Sequence, residues 1–239
     1  TGEDTLSLHD ALPIYVKNFG FFIKQIMSQI YYKYKRTYHF EWSPGLQNDD
    51  RRQEDYSELE NSPNGIIASI KMDGENTNLY SDRYHARSID SKDHPSRHYV
   101  KGLWGSIKHL IPDGWRICGE NLYGKHSIFY ENLESYFQVF SIWDDTNTCL
   151  DYDTTLDVCK EFGLIHVPVI YKGKYDEEIL RNLPNTPEME GHEGYVVRTF
   201  QSFKFEDFNK NVVKYVRKNH VTTSAHWLNE KLIPNKLRF

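Results

Sequence analysis

The sequence predicts an α+β fold built on antiparallel sheets, and three observations carry that expectation. Short runs rich in β-branched and aromatic residues, bounded by Gly, Asn, Asp and Pro, dominate the chain. Helical stretches are interspersed among them without the strand–helix–strand alternation of parallel sheets. With 239 residues, 38% hydrophobic and 26% charged, the chain can bury a sizeable core, and collagen-like and fully disordered classes are excluded.

Residues 7–14 (SLHDALPI) read as one translated frame of a common sequencing-library adapter, and Asp4-Thr5-Leu6 extends the match upstream. Residues 1–26 are therefore expected to be non-native, with Met27 as the start and residues 27–239 as the functional domain. The alternative for this segment is a short amphipathic helix, with Phe19, Phe22, Ile23 and Ile26 at helical spacing. The polar run 48–64 reads as a solvated loop or surface helix. Ile66 to Ile70, opened by Asn64-Gly65, is a β-branched strand. Asn76–Tyr80 and Tyr84–Ile89 flank the turn Ser81-Asp82-Arg83 as a hairpin. Leu103, Ile107 and Leu110 predict a helix over Gly102–Ile111, and Tyr136–Trp143 predicts a strand buried on both faces. Thr154 to Asp157 resembles a capping box, and Gly163 ends the helix that it opens. Ile165–Tyr171, Gly194–Thr199 and Asn211–Val216 read as further strands.

Composition narrows the function classes. A net charge of −5 excludes gripping nucleic acid by bulk positive charge and leaves room only for a local basic groove. Cys118, Cys149 and Cys159 form no CxxC pair, which argues against a disulfide scaffold and a thiolate zinc site and favours a reducing, cytoplasmic compartment. No apolar run approaches the ~20 residues of a membrane-spanning helix. His192 and the His94/His98 pair read as surface histidines, because Pro95 makes a helix joining that pair improbable. No Gly-x-x-x-x-Gly-Lys-Ser/Thr loop and no Gly-x-Ser-x-Gly elbow occurs.

The chemistry-bearing stretch begins at Lys71-Met-Asp-Gly-Glu-Asn76. A lysine directly after an apolar strand is held rigidly and partly desolvated, and burial lowers its pKa toward the neutral amine that nucleophilic attack needs. Behind it follow His85-Ala-Arg87-Ser88, Gly119-Glu120-Asn121, Phe137-Gln-Val-Phe140, Glu193-Gly-Tyr-Val-Val-Arg198 and Val213-Lys214-Tyr215.

This ordered set resembles the covalent nucleotidyltransferase superfamily and, within it, the ATP-dependent RNA ligases. Arg36-Thr-Tyr-His39, Trp42-Ser-Pro-Gly45 and Asp49-Asp50-Arg51 are similar to RNA-ligase-like proteins of phages and bacteria. The resemblance implies two antiparallel sheets with flanking helices and a nucleotide groove between them. Lys71 matches the nucleophile that forms lysyl–AMP, and Glu120 matches the carboxylate that accepts from a ribose hydroxyl. Phe137 matches the aromatic that stacks on adenine, with Phe140 competing for the role. Glu193 matches a carboxylate associated with Mg²⁺ or Mn²⁺, and Lys214 the lysine on the α-phosphate. Arg87 and Asn76 are matched to phosphate or the acceptor end.

The family's last motif carries two lysines one residue apart, whereas Val216 occupies the second position here, leaving Arg217 or Lys218 as substitutes. The implied activity is ATP-dependent joining of RNA 5′-phosphate and 3′-hydroxyl ends by a monomer. The alternatives are a capping-type guanylyltransferase and a nucleotide- or RNA-end-binding protein without turnover. Arg87, Lys101, Arg198, Lys214, Arg217 and Lys218 are the candidate cations for RNA, few enough to favour nicked or folded RNA over free strands.

Overall fold

The β-branched run Ile66–Ile70 forms strand β2 with the bounds expected, and it lies inside a sheet that orders the rest of the fold. The structure is a computed structural model, and it describes residues 30–47, 49–218 and 231–238. The expectation for residues 1–26 lies outside the described residues. The chain divides into the units Thr1–Tyr32 and Lys33–Phe239, and the architecture that follows is that of the second.

Among the described residues the strands are β1 (Tyr38–His39), β2, β3 (Glu75–Leu79), β4 (Tyr84–Ala86), β5 (Arg116–Asn121) and β6 (Phe137–Trp143). They continue as β7 (Thr148–Cys149), β8 (Ile165–His166), β9 (Val169–Gly173), β10 (Gly194–Thr199), β11 (Phe203–Lys204) and β12 (Val212–Val216). The helices are α1 (Ser57–Glu60), α2 (His98–Ile107), α3 (Tyr152–Glu161), α4 (Glu177–Asn182) and α5 (Phe208–Asn211). The strands build a five-stranded sheet in the order β1-β12-β10-β2-β9 and a seven-stranded sheet in the order β11-β7-β6-β5-β3-β4, with β8 beside β6. Pairing is antiparallel except for β1 on β12 and β8 on β6. The expected α+β architecture with two sheets is therefore observed.

Alternation along each strand sets the two faces of the first sheet. Ala68, Ile70, Tyr195, Val197 and Val213 enter one core with Phe40, Leu59 and Leu180. The intervening Ser69, Val196, Arg198 and Lys214 face the other way and line a cavity. Leu79, Ile117, Phe137, Val139 and Ile142 of the second sheet pack on Val100 and Ile107 of α2 and Cys159 of α3. A third cluster unites Cys118, Trp143, Cys149 and Phe203 of the second sheet with Val212 of the first. That cluster walls one end of the cavity.

Several boundaries differ from expectation for identifiable reasons. Helix α2 begins earlier than Gly102 because a 3₁₀ turn, Pro95–Arg97, leads into it. Proline is well placed at a first helical position, where no amide partner is needed. His94 caps that turn, its Nδ1 accepting from the Ser96 amide at 3.3 Å. The cap of α3 is Asp151, whose carboxylate accepts from the Thr154 amide at 2.9 Å, so the box at Thr154–Asp157 does not form. Gly163, at φ 65°, ends the helix as expected. The run Ile165–Tyr171 divides into β8 and β9, which join different sheets on either side of Val167-Pro168. Residues 231–238, which carried no signal, cross the loop after β5. Buried Asn235 donates to Leu122 O at 2.8 Å and accepts from the Tyr130 amide at 2.9 Å.

Candidate active site

The cavity between the sheet faces has a volume of about 920 Å³. Lys71, Asn76, Arg87, Glu120, Phe140, Arg198 and Lys214 all line it, so most of the residues singled out in the sequence converge on one space. Asn76 and Glu120 are direct partners across the β3–β5 ladder, which explains their shared orientation.

Lys71 lies just past β2, where its amide donates to Gly194 O at 2.9 Å and extends the β2–β10 ladder by one step. That register brings it beside Glu193, and the Lys71 ammonium donates to Glu193 Oε1. Gly194 permits the close approach of β12 on the other side: a Cβ there would stand 1.9 Å from Tyr215 O. Gly74 turns the chain after Lys71, and its amide donates to Glu120 Oε1 at 3.1 Å. Asp73 is bonded to the backbone beyond the turn. Its Oδ2 accepts from the Ser127 and Ile128 amides, both at 2.7 Å, and pins the loop after β5.

The electrostatics of the three central groups are coupled. Burial pulls the Lys71 pKa down, but the carboxylates of Glu193, Glu120 and Asp73 outweigh it and hold the amine above its ordinary value. The expected depression is thus reversed, because a desolvated ammonium surrounded by carboxylates stays protonated. Burial pushes Glu120 up to about 8, with Lys71 opposing and Glu193 reinforcing the shift. Lys214 moves the other way: burial lowers its pKa, Asp50 opposes, and the Lys71 charge adds to the depression.

Phe137 and Phe140 separate cleanly. Phe137 is fully buried in the core under the second sheet, and its ring fills the space where a Cβ on Gly119 would stand, 2.4 Å away. It does not reach the cavity. The β5–β6 ladder pairs Gly119 with Val139 and Cys118 with Ser141, which leaves Phe140 as an extra residue at a bulge. Bulges of this kind re-aim a side chain, and here the cavity receives Phe140. Its ring meets Tyr34 edge-on at 5.2 Å.

The position of the second lysine is closed. Val216 is buried, its amide donates to Ser43 Oγ at 2.9 Å, and its carbonyl accepts from the Gly45 amide at 2.9 Å. Neither substitute reaches the cavity: Arg217 donates to Met189 O, and Lys218 is exposed. Lys101 faces solvent beside Asp93 at 3.8 Å. His192 is half-buried and stacks on Tyr130 at 6.1 Å, so it is not the surface histidine expected. Cys118 is buried and its thiol is pushed up to about 12 by burial, consistent with a packing role.

Sequence reasoning assigned no role to His39, Ser43 and Asp50. Lys214 Nζ stands 3.3 Å from Asp50 Oδ1, His39 Nε2 lies 3.1 Å from Asp50 Oδ2, and His39 Nδ1 is 2.8 Å from Ser43 Oγ. The only available signal was their place in the Arg36–Arg51 stretch, which carries no periodic pattern.

Among the described residues no group of three or more His, Cys, Asp or Glu side chains could hold a metal ion. No helix among them is long and apolar enough to cross a membrane.

Comparison with known proteins follows from this geometry. No curated protein matches the chain. An archaeal ATP-dependent RNA ligase is similar at 17% identity and a TM-score of 0.45, over 64% of this chain and 42% of that one. A Naegleria gruberi RNA ligase mutant with ATP and Mn gives 16% identity and a TM-score of 0.50, over 78% and 61% of the two chains. An Aquifex aeolicus protein assigned as an ATP-dependent DNA ligase gives 18% identity and a TM-score of 0.51, over 78% and 50%. The last two likenesses establish a common fold. The chain spans between 42% and 61% of the length of these three proteins. The family model described as RNA ligase matches residues 65–216, from the glycine that opens β2 to the last residue of β12. On that match the chain belongs to the RNA ligase family.

Proposed function

We propose that the protein is an ATP-dependent RNA ligase that joins 5′-phosphate and 3′-hydroxyl ends through lysyl–AMP on Lys71. One observation carries the reading: Lys71 opens into the cavity beside Glu193 and Glu120, with Lys214 lining the same cavity. The neutral Lys71 amine attacks the α-phosphorus, a P–N bond forms, the bond to the bridging oxygen breaks, and pyrophosphate leaves. Glu193 Oε1, which holds the ammonium, is placed to take its proton. A 5′-phosphate oxygen of RNA then displaces Lys71 from the adenylyl phosphorus. Finally the 3′-hydroxyl attacks the 5′-phosphorus, and AMP departs.

Lys214 compensates charge that builds on the α-phosphate. Phe140, in place of Phe137, supplies the stacking wall for the base. Arg87, just past β4, and Asn76, on β3, line the cavity and suit phosphate of the incoming end. Glu193 is a hard oxygen donor that suits Mg²⁺ or Mn²⁺, and Glu120, which lines the cavity, suits a ribose hydroxyl. When bound, such an ion neutralises phosphate charge.

The test is incubation with labelled ATP and Mg²⁺ followed by a denaturing gel. Label should stay on the wild-type chain and be lost in Lys71→Ala; label of wild-type stoichiometry on the variant would refute the nucleophile. For the substrate, Arg87, Arg198 and Lys214 line the cavity together with Lys35, Arg36, Lys71, Lys92 and Arg97; Arg198 is bonded to the Thr199 and Leu150 carbonyls and Arg97 to Glu75. Cations confined to one cavity favour ends presented by a nicked duplex or folded RNA to a monomer. Sealing of a nicked duplex should outpace joining of free single strands at equal end concentration, and the reverse order would overturn this part of the reading.

A further inference from the structure

We infer that Asp50 is the positioning residue for Lys214: a carboxylate held from behind by the segment 39–50 that fixes the lone lysine of β12 toward the cavity. The inference rests on reading Lys214 as the phosphate-holding lysine. Its geometry is a chain of four side chains. Ser43 Oγ meets His39 Nδ1 at 2.8 Å, His39 Nε2 lies 3.1 Å from Asp50 Oδ2 without the alignment of a hydrogen bond, and Asp50 Oδ1 meets Lys214 Nζ at 3.3 Å. The Gln47 amide donates to Asp50 Oδ2 at 3.1 Å, so one oxygen is anchored to the scaffold while the other holds the lysine.

The β1–β12 register makes His39 and Lys214 direct partners, and the His39 amide, which donates to Arg51 O at 2.8 Å, holds the chain next to Asp50 alongside them. The side chains of His39, Asp50 and Lys214 are 1%, 11% and 15% exposed. A buried ionic contact of this kind does little for stability by itself, but it restricts a flexible four-carbon stem. An ammonium has three donors, so one given to Asp50 leaves two for phosphate oxygens. Because position 216 carries no second lysine, the orientation of this one matters more. The charged and titratable groups around Lys214 are Asp50, His39 and Arg36 from the segment before α1, Lys71 after β2, and Glu193 before β10. Burial and the Lys214 charge bring the His39 pKa down to about 4, so a neutral imidazole backs the carboxylate.

The test combines Asp50→Asn, Lys214→Gln and the double variant, in single-turnover transfer of label from ATP to protein. Asp50→Asn is expected to lower the rate constant about tenfold with a smaller change in the ATP concentration for half-saturation, and the double variant to be no slower than Lys214→Gln alone. Competitive trace acetylation of lysines, read by mass spectrometry as a function of pH, follows Lys214 without any turnover. Asp50→Asn should shift its titration to lower pH while the melting temperature holds; Asp50→Ser serves if the first variant fails to fold. An unchanged rate and an unchanged Lys214 titration in either Asp50 variant would overturn the inference. An unimpaired Lys214→Gln would instead refute the role given to Lys214 itself.

Discussion

Lys71 and Glu193 form an ion pair across the end of the β2–β10 ladder, with the glutamate almost fully buried and the lysine part-open to the cavity. The pair stores the nucleophile in its protonated form. Burial depresses the lysine, and the surrounding carboxylates, Glu193 foremost, more than restore it.

A protonated nucleophile has a kinetic signature. The rate of label transfer from ATP to Lys71 should climb from about pH 7 to about pH 9, because only the neutral amine attacks. Single-turnover rates across that range measure it. A flat profile would show that loss of the proton does not limit the step.

Glu193→Gln keeps the shape of the site and removes the main charge holding the ammonium. Lys71 should then titrate at lower pH, as read by trace acetylation, while transfer of label falls at least tenfold because a donor suited to the metal is lost. The stability cost should stay small, since Lys71 retains access to water. Transfer at the wild-type rate with unchanged Mg²⁺ dependence would exclude a role for this carboxylate.

Glu120 offers a stability test with a definite sign. Its folded pKa of about 8 lies above that of an ordinary carboxylate, so the fold binds its proton more tightly than the unfolded chain does. The stability this contributes is complete below the ordinary carboxylate range and is lost as pH rises through about 8. Glu120→Gln should therefore match wild type near about pH 4 and melt a few degrees higher near about pH 9. Melting curves at both values decide it, and a variant less stable at the higher pH contradicts the assignment.

The two phenylalanines of β6 should separate in their effects. Phe137→Ala empties a closed core and should cost about 3–5 kcal/mol of stability. Phe140→Ala should leave stability nearer to wild type and raise the ATP requirement about 10- to 100-fold, the equivalent of ~1–3 kcal/mol of stacking. Thermal melts and ATP titrations of label transfer on both variants are the measurement, and an exchange of these phenotypes would return the base to Phe137.

Asn235→Ala should loosen the segment that crosses the loop after β5. It removes an amide bonded to Leu122 O and the Tyr130 amide and leaves buried partners unmet. A loss of about 1–3 kcal/mol is expected, or ~2–4 °C in melting temperature for each kcal/mol. An unchanged melting temperature would show that this crossing adds nothing.

Much of this was legible in the residues. β2 and β10 follow from β-branched runs with turn residues at their ends, and the lysine and glutamate beside them are read off directly. What escaped has local physical causes. A single bulge decides which phenylalanine of β6 enters the cavity, and nothing in Phe137-Gln-Val-Phe140 marks the extra residue. The sign of the Lys71 shift depends chiefly on Glu193 and Glu120, which lie 122 and 49 positions away in the chain, with Asp73 adding to it. β1, β7 and β11 are two residues each, too short for any periodicity, and β1 is the strand that brings Asp50 to Lys214.

The covered valine at position 216 has a consequence for how this site can change. Its backbone is bonded on both sides to the turn Ser43–Gly45, and a Cβ on Gly45 would already stand 2.9 Å from Val216 Cγ1. A lysine introduced there could not simply restore the missing cation: its stem would have to lift the turn, and the lifted turn would take the Ser43 hydroxyl away from His39. A longer side chain at position 216 therefore presses on the turn whose Ser43 hydroxyl meets His39, so a second cation there calls for a change in that loop as well.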